Sequence, residues 1–329
     1  MIAKKQEVCL GIDLGGSKIL TAVVDARGEI LSRDYRVTPA SDGPDAVVRE
    51  VIESATSALV SLGIAMKELA AIGIGAPGVF DPVGGVVFAS PNLPGWHNVP
   101  LRDIITRESG VPSYLINDAN AAALGELYFG AARGMRQVVY VTVSTGIGGG
   151  IIIDGELYRG SVGTAGEIGH MTIDTNGPRC QCGNTGCWEV LASGTALADR
   201  ARQQIKNGAK TSILDLACGD LEKVTAPVIQ AAAEQGDHFA GELIAQTGYY
   251  LGVGLANLIN IFNPELIVIG GGLSNIGEAL LGPAFRVAGE RAFRESYQAV
   301  RFVLPELGAD SGVLGAAAFA RQSVGREGK

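Results

Sequence analysis

Three cysteines, Cys180, Cys182 and Cys187, form a Cys-x-Cys-x4-Cys run, and His170 precedes them on the same stretch. Thiolate sulfur and imidazole nitrogen are soft or borderline donors, so four of them on a short loop suit a tetrahedral Zn2+ ion. A closed Cys3His set leaves no position for water, which makes the site structural rather than catalytic. Cys9 and Cys218 stand apart from the cluster. An odd number of cysteines with one tight group is a poor disulfide framework and a good metal knuckle.

Two glycine loops offer phosphate chemistry. The first is Asp13, Leu14, Gly15, Gly16, Ser17 and Lys18, between two strand-like runs. Glycines there admit positive φ and uncover backbone N–H groups that can face a phosphate. Asp13 at the strand end is placed to hold Mg2+ through water, and Lys18 adds positive charge. The loop is neither a P-loop nor a dinucleotide fingerprint. The second runs Ser144, Thr145, Gly146, Ile147, Gly148, Gly149, Gly150 at the equivalent place later in the chain. Two such loops facing one another would pinch a polyphosphate; a plain hairpin turn is the competing reading of each. Asn117 and Asp118 open a helical stretch, where Asn and Asp are favoured caps. The residues alone favour the cap over a carboxylate that takes a proton from an alcohol. In the loop from Ser90 to Trp96, prolines stiffen a segment whose Asn92 suits a small polar ligand, while Trp96 reads as packing.

The elements that must carry these groups come in two similar sets. Residues 8–31 and 138–158 each read as strand, glycine turn, strand, tight turn, strand, with Asp25 to Gly28 and Asp154–Gly155 as the tight turns. Each set is followed by a helical segment and an apolar strand closing on small residues, at 70–78 and 265–272. The pattern implies a duplicated α/β fold around a cleft. A break near Asn117 and Asp118 gives a smaller first lobe, 1–117, and a larger second lobe, 118–310, carrying the metal insert 166–189; the helix-like tail 311–323 is expected to return to the first lobe. The chain has 329 residues with 47% apolar and 18% charged, enough for a sizeable core and unlike a disordered protein. A net charge of −8 argues against a nucleic-acid or anionic-membrane partner. The uncharged stretch 243–264 has apolar residues at helical spacing among polar ones and glycines, so it reads as a buried helix and not a membrane span. The first ten residues lack the apolar core of a secretory signal, so a cytoplasmic location is expected.

The motifs DLGGSK, GIGAPG, SPNLPGW, INDANAAALGE, VSTGIGGGII, GEIGH, CQCGNTGCWE and IVIGGG occur in that order over residues 9–273. In this the sequence closely resembles the ROK family of repressors, open reading frames and kinases, and within it the bacterial glucokinases. The resemblance implies an actin-like, ribonuclease-H-like fold of two lobes, with ATP and a sugar meeting in the cleft. It makes Asp118 the general base for the sugar's 6-hydroxyl. Asn92, Asn117, Glu167, His170 and Glu189 match positions that hydrogen-bond sugar hydroxyls, and Gly78 lines the same pocket. His170 then serves both zinc and sugar. Asp13, Gly15, Gly16, Ser17 and Lys18, with Thr145 and Gly146, match the phosphate loops, and Gly270, Gly271 and Gly272 the adenosine motif. Ser17 stands where the family usually has Thr and keeps the hydroxyl. The implied activity is ATP-dependent phosphorylation of a hexose, D-glucose first, an entry step of glycolysis. N-acetylmannosamine, N-acetylglucosamine, mannose and fructose are the alternatives within the class. Family repressors carry a helix-turn-helix domain ahead of the first phosphate loop, where twelve residues precede Asp13 here. That weighs against a sugar-sensing regulator, and the sugar-contact set weighs against a chaperone-like ATPase. Family kinases commonly assemble as homodimers or homotetramers.

Overall fold

The computed structural model describes residues 8–81, 84–90 and 92–327. Residues 1–7, on which the reading of the N-terminus rests, and Pro91 of the proline loop lie outside them. Strands β1 (Cys9–Leu14), β2 (Lys18–Val24), β3 (Ile30–Val37) and β4 (Ala71–Ala76) come first. A small antiparallel sheet of β5 (Val79–Asp81), β6 (Val86–Ala89) and β7 (His97–Val99) follows, and then β8 (Ser113–Asn117). The first large sheet has the order β3-β2-β1-β4-β8, with β1 antiparallel to β2 and parallel to β4. The second is built from β9 (Val138–Val143), β10 (Ile147–Ile153), β11 (Glu156–Leu157), β12 (Leu266–Gly270) and β13 (Arg301–Val303), in the order β11-β10-β9-β12-β13. Numbered from its own first strand, each sheet runs 3-2-1-4-5. This is the duplicated α/β fold expected from the paired hairpin motifs.

Both tight turns form where the sequence places them. The Asp25 carboxylate accepts the N–H groups of Arg27 and Glu29, each at 2.8 Å, and Gly28 has φ +83°. Asp154 and Gly155 both have positive φ, +55° and +81°, the pair of left-handed residues that a two-residue hairpin of right-twisted strands requires.

By contact density the chain divides into two compact units. One comprises Met1–Arg136, Gly150–Gly166 and Pro305–Lys329; the other comprises Gln137–Gly149 and Glu167–Leu304. In the first unit, alternation along β1 sends Leu10, Ile12 and Leu14 into a core with Val47, Val51 and Leu59 of the Pro44–Val60 helix. The opposite face carries Cys9 and Gly11 and packs on Val313 and Ala317 of the Ser311–Glu327 helix. Here glycine is required by space. A Cβ at Gly11 or Gly73 would run into the carbonyl of Val313 or Ala316, and one at Gly315 into that of Ala121 in the Asp118–Phe129 helix. Glu126, fully buried on that helix, accepts from the N–H groups of Ala131, Glu306 and Leu307 and from the Ser311 hydroxyl.

In the second unit the uncharged stretch is a helix, His238–Phe262, burying Leu243, Leu251, Leu255, Leu258 and Ile259. Asp237 caps it, accepting from Ala240 N–H at 3.0 Å. Among the described residues no helix is long and apolar enough to cross a membrane.

Candidate functional site

Each unit gathers its own share of the residues singled out from the sequence. In the first, they collect at the C-terminal ends of three parallel strands, where ligands of open α/β sheets bind. Asp13, next to last in β1, lies opposite Gly75 of β4, and Ala76 lies opposite Asn117 at the end of β8. The Asn117 side chain accepts from Ala119 and Asn120 N–H at 3.0 and 3.1 Å, so it is the N-cap. Asp118 is the first residue of the Asp118–Phe129 helix, and its Oδ1 accepts from Ala119 N–H at 2.8 Å. The cap reading therefore holds for Asn117.

The first glycine loop joins β1 to β2. Gly15 N–H donates to Lys18 O at 2.8 Å, and the Thr38 hydroxyl donates to Gly15 O at 2.8 Å. The positive φ expected of these glycines does not occur: Gly15, Gly16 and Gly146 all lie outside the left-handed region. Gly16 is glycine because Asn92 lies against it; a Cβ there would come 2.5 Å from Asn92 O and 2.7 Å from its Cβ. Positive φ appears elsewhere, at Gly78 (+104°), packed on Ala89 O, and at Gly271 (+88°), packed on the Val143 backbone. Burial pushes the Asp13 carboxyl above the usual range, and Lys18 works against that. The Asp13 carboxylate sits beside Gly312 in the first turn of the Ser311–Glu327 helix; a Cβ there would lie 3.2 Å from Asp13 Cγ. Trp96 is 1% exposed and belongs to the core, as its packing reading requires.

In the second unit the cysteine loop closes on His170. Cys180 Sγ is 3.6 Å from His170 Nδ1, Cys182 Sγ is 3.6 Å from Cys187 Sγ, and the four ligand atoms all lie within 4.8 Å of one another. A tetrahedron with Zn–S arms of about 2.3 Å has edges of about 3.8 Å, so the cluster fits such an ion. Glycine makes the loop this tight, since a Cβ at Gly186 (φ +66°) would run into Asp174 O. Burial, aided by Cys182 and Cys180, pushes the Cys187 thiol up to about 12, and burial also raises Cys180. The Asn184 backbone lowers Cys182. Unaided, the three thiols resist ionising together; a divalent cation reverses that and holds them as thiolates.

The second glycine loop adjoins this cluster. Glu189 opens the Glu189–Ala192 helix two residues after Cys187, and its Oε2 accepts from Ile147 N–H at 2.9 Å. The same carboxylate fills the space that a Cβ at Gly146 would need. Glu167 precedes the Ile168–His170 turn; burial raises its pKa, His170 lowers it and Glu189 raises it further. Gly194 N–H donates to Ser144 O at 2.8 Å, and the Thr195 hydroxyl to Thr145 O at 2.8 Å. A pocket of about 390 Å3 opens here, lined among others by Thr145, Thr195, Arg202, Pro227, Gln230 and Gly272. It brings Thr145 together with Gly272, while Gly270 and Gly271 are not among its lining residues. Thr195, Arg202, Pro227 and Gln230 escaped the sequence reading because they come from the Gly194–Lys206 and Ala226–Glu234 helices, which carry no motif. The small-residue run at Ser193 to Thr195 was the one available signal.

Similarity to known proteins spans the chain. The profile of the ROK family matches residues 9–323. A glucokinase of Thermotoga maritima is 40% identical over 319 residues, 96% of this chain and 98% of its own. The crystal structure of a ROK family glucokinase from Streptomyces griseus, in complex with glucose and AMPPNP, is 36% identical with a TM-score of 0.79, covering 96% of this chain and 99% of that one. A xylose repressor of Caldicellulosiruptor bescii is 34% identical, over 94% of this chain and 77% of its own.

Proposed function

The chain belongs to the ROK family, with its actin-like α/β fold, and from that premise we propose that it is an ATP-dependent hexose kinase acting on the 6-hydroxyl of D-glucose. The observation that carries this reading is the neighbourhood of Thr145 in the second unit. There a pocket of about 390 Å3, a size suited to a nucleotide, shares one loop with the carboxylate of Glu189. Phosphate binding and sugar binding are thus built from consecutive residues.

Asn92, Asn117, Glu167, His170 and Glu189 hold the sugar hydroxyls, and Gly78 lines the same pocket. Asp118 accepts the 6-hydroxyl proton as that oxygen bonds to the γ-phosphorus and the bond to the ADP oxygen breaks. The backbone amides of the loops at Gly15 to Lys18 and Ser144 to Gly146 cradle the phosphates, and Gly270 to Gly272 face the adenosine. Asp13 would hold Mg2+ through water, and the ion supplies neutralising charge on the phosphates. His170, Cys180, Cys182 and Cys187 would hold Zn2+, which supplies rigidity to the loop ahead of Glu189. With Nδ1 turned to the cysteines, His170 offers Nε2 to the sugar.

The test is ADP release from MgATP with glucose, mannose, fructose, N-acetylmannosamine and N-acetylglucosamine, against a blank without sugar. Turnover with glucose well above the others is expected. Preference for another of these sugars keeps the kinase and replaces the substrate; sugar binding without any ADP release favours the regulator reading, which the repressor relatives keep open.

A further inference from the structure

Glu189 does more in the fold than face a sugar. Its Oε2 takes the Ile147 N–H at 2.9 Å, and the carboxylate lies in the space beside Gly146. Ile147 is held from the other side as well, because a Cβ at Gly169 would run into its carbonyl. The loop so gripped includes Ser144 and Thr145, which line the pocket. The carboxylate in turn is placed by what precedes it. Trp188 is fully buried; its indole N–H donates to Tyr250 O at 3.0 Å and its backbone N–H to Met171 O at 2.8 Å. Gly254 gives that indole its room, and Cys187 of the metal cluster is its neighbour in the chain.

We propose that Glu189 is a positioning residue for the nucleotide: its carboxylate anchors the Ser144–Ile147 turn in phosphate-binding shape. The metal loop fixes Glu189, and Glu189 fixes the phosphate loop. This deepens the kinase reading and rests on it. A sugar hydroxyl donating to Glu189 would then steady the group that steadies the nucleotide loop, so sugar and nucleotide affinities are coupled through one side chain.

The sign of one measurement separates this from a plain sugar contact. A carboxylate beside a phosphate loop repels phosphate, so if Glu189 served only the sugar, deleting it would leave MgADP affinity unchanged or improve it. If it anchors the loop, deletion frees the Ile147 amide and weakens MgADP. The experiment is titration calorimetry of MgADP, without sugar, into the full chain and its variants. Glu189→Ala is expected to bind about tenfold more weakly, the scale of a lost hydrogen bond to a charged group. Glu189→Gln keeps an oxygen for Ile147 N–H and is expected to stay within about threefold of wild type, while its sugar KM rises. Gly146→Ala probes the same contact without touching the carboxylate. The new methyl would displace the flexible end of Glu189, so its effect should vanish in the Glu189→Ala background. Unchanged or tighter MgADP binding in Glu189→Ala overturns the proposal, and so does full additivity of the two alanine changes. Wild-type protein that binds no MgADP overturns the kinase reading itself, and the proposal with it.

Discussion

Glu126 gives the sharpest test of how the first unit is held together. It is fully buried, and its Oε2 accepts from Ala131 N–H at 2.9 Å and Glu306 N–H at 3.1 Å, while Oε1 accepts from Leu307 N–H at 3.1 Å and the Ser311 hydroxyl at 2.6 Å. The three N–H groups can only donate, and a carboxylate, acceptor on both oxygens, meets all of them together with the Ser311 hydroxyl. The carboxylate therefore ties the end of the helix that Asp118 begins to the segment leading into the Ser311–Glu327 helix. In Glu126→Ala the Ser311 hydroxyl can turn to Gly308 O, already 2.9 Å away, so three N–H groups lose their acceptor. At about 1 kcal/mol each, with water reaching the exposed Glu306, the cost is about 3 kcal/mol. In Glu126→Gln the amide does least harm on the Oε1 side, where it donates to Ser311 and orphans only Leu307 N–H, for about 1–2 kcal/mol. At roughly 2–4 °C per kcal/mol, the unfolding transition of the first unit should fall by about 6–12 °C for Ala and by about 2–8 °C for Gln. Calorimetry reads the transition, and amide hydrogen exchange at Ala131, Glu306 and Leu307 shows whether the loss is local. A glutamine variant melting with wild type, its three amides still protected, would refute the claim that the charged acceptor is needed.

Asp118→Asn should lower kcat by at least about 100-fold with little change in sugar affinity, since it removes the base and keeps the shape; a variant keeping more than a tenth of kcat in steady-state assays ends that assignment. Cys182→Ser should lose zinc by elemental analysis and weaken sugar binding as His170 loses the ion that would hold its Nδ1; normal sugar binding by metal-free protein would uncouple the two. Acid stability should depend on Asp237. Burial opposes its charge, but bonds from Thr211, Ala240 and Ser212 outweigh that and pull its pKa down to about 2. A depressed carboxylate stabilises above its unfolded pKa and loses that contribution as pH falls through the folded value, here between about pH 4 and pH 2. Urea titrations of Asp237→Ala should show a loss of about 1–2 kcal/mol at neutral pH, discounted for solvent screening, and a flatter stability profile in that acid window. Parallel profiles for the variant and wild type would assign the acid sensitivity elsewhere.

Much of this architecture was legible because it is local. Asp25 to Gly28 and Asp154–Gly155 are turns by their own chemistry, and the apolar alternation of β1 and β2 recurs in β9 and β10, so the duplication shows as a repeated pattern. The Cys-x-Cys-x4-Cys run with His170 is equally local, since a short loop can place four donors within one coordination sphere. The clamp at Glu126 was not legible. The residue sits inside an alanine-rich helical pattern, and its partners at Glu306, Leu307 and Ser311 are about 180 positions away. Nor were the pocket walls from the Gly194–Lys206 and Ala226–Glu234 helices, whose residues take their meaning from packing alone.

The glycines mark the boundary between the two kinds of information. A glycine-rich loop between strands suggests left-handed backbone, and at Gly28, Gly155 and Gly271 that is why glycine is there. At Gly16 and Gly146 the backbone is one that any residue could adopt, and glycine is required because another group occupies the place of the Cβ. Those groups are Asn92 and Glu189, both assigned to the sugar by resemblance. In each unit, then, a glycine loop is shaped by the absence of a side chain where one of these two residues lies against it. An alanine at Gly16 would meet Asn92 main chain, which cannot swing aside, whereas one at Gly146 would meet the movable end of a carboxylate. Gly16→Ala should therefore be the costlier change, because it must shift the backbone at Asn92 along with that of the glycine loop.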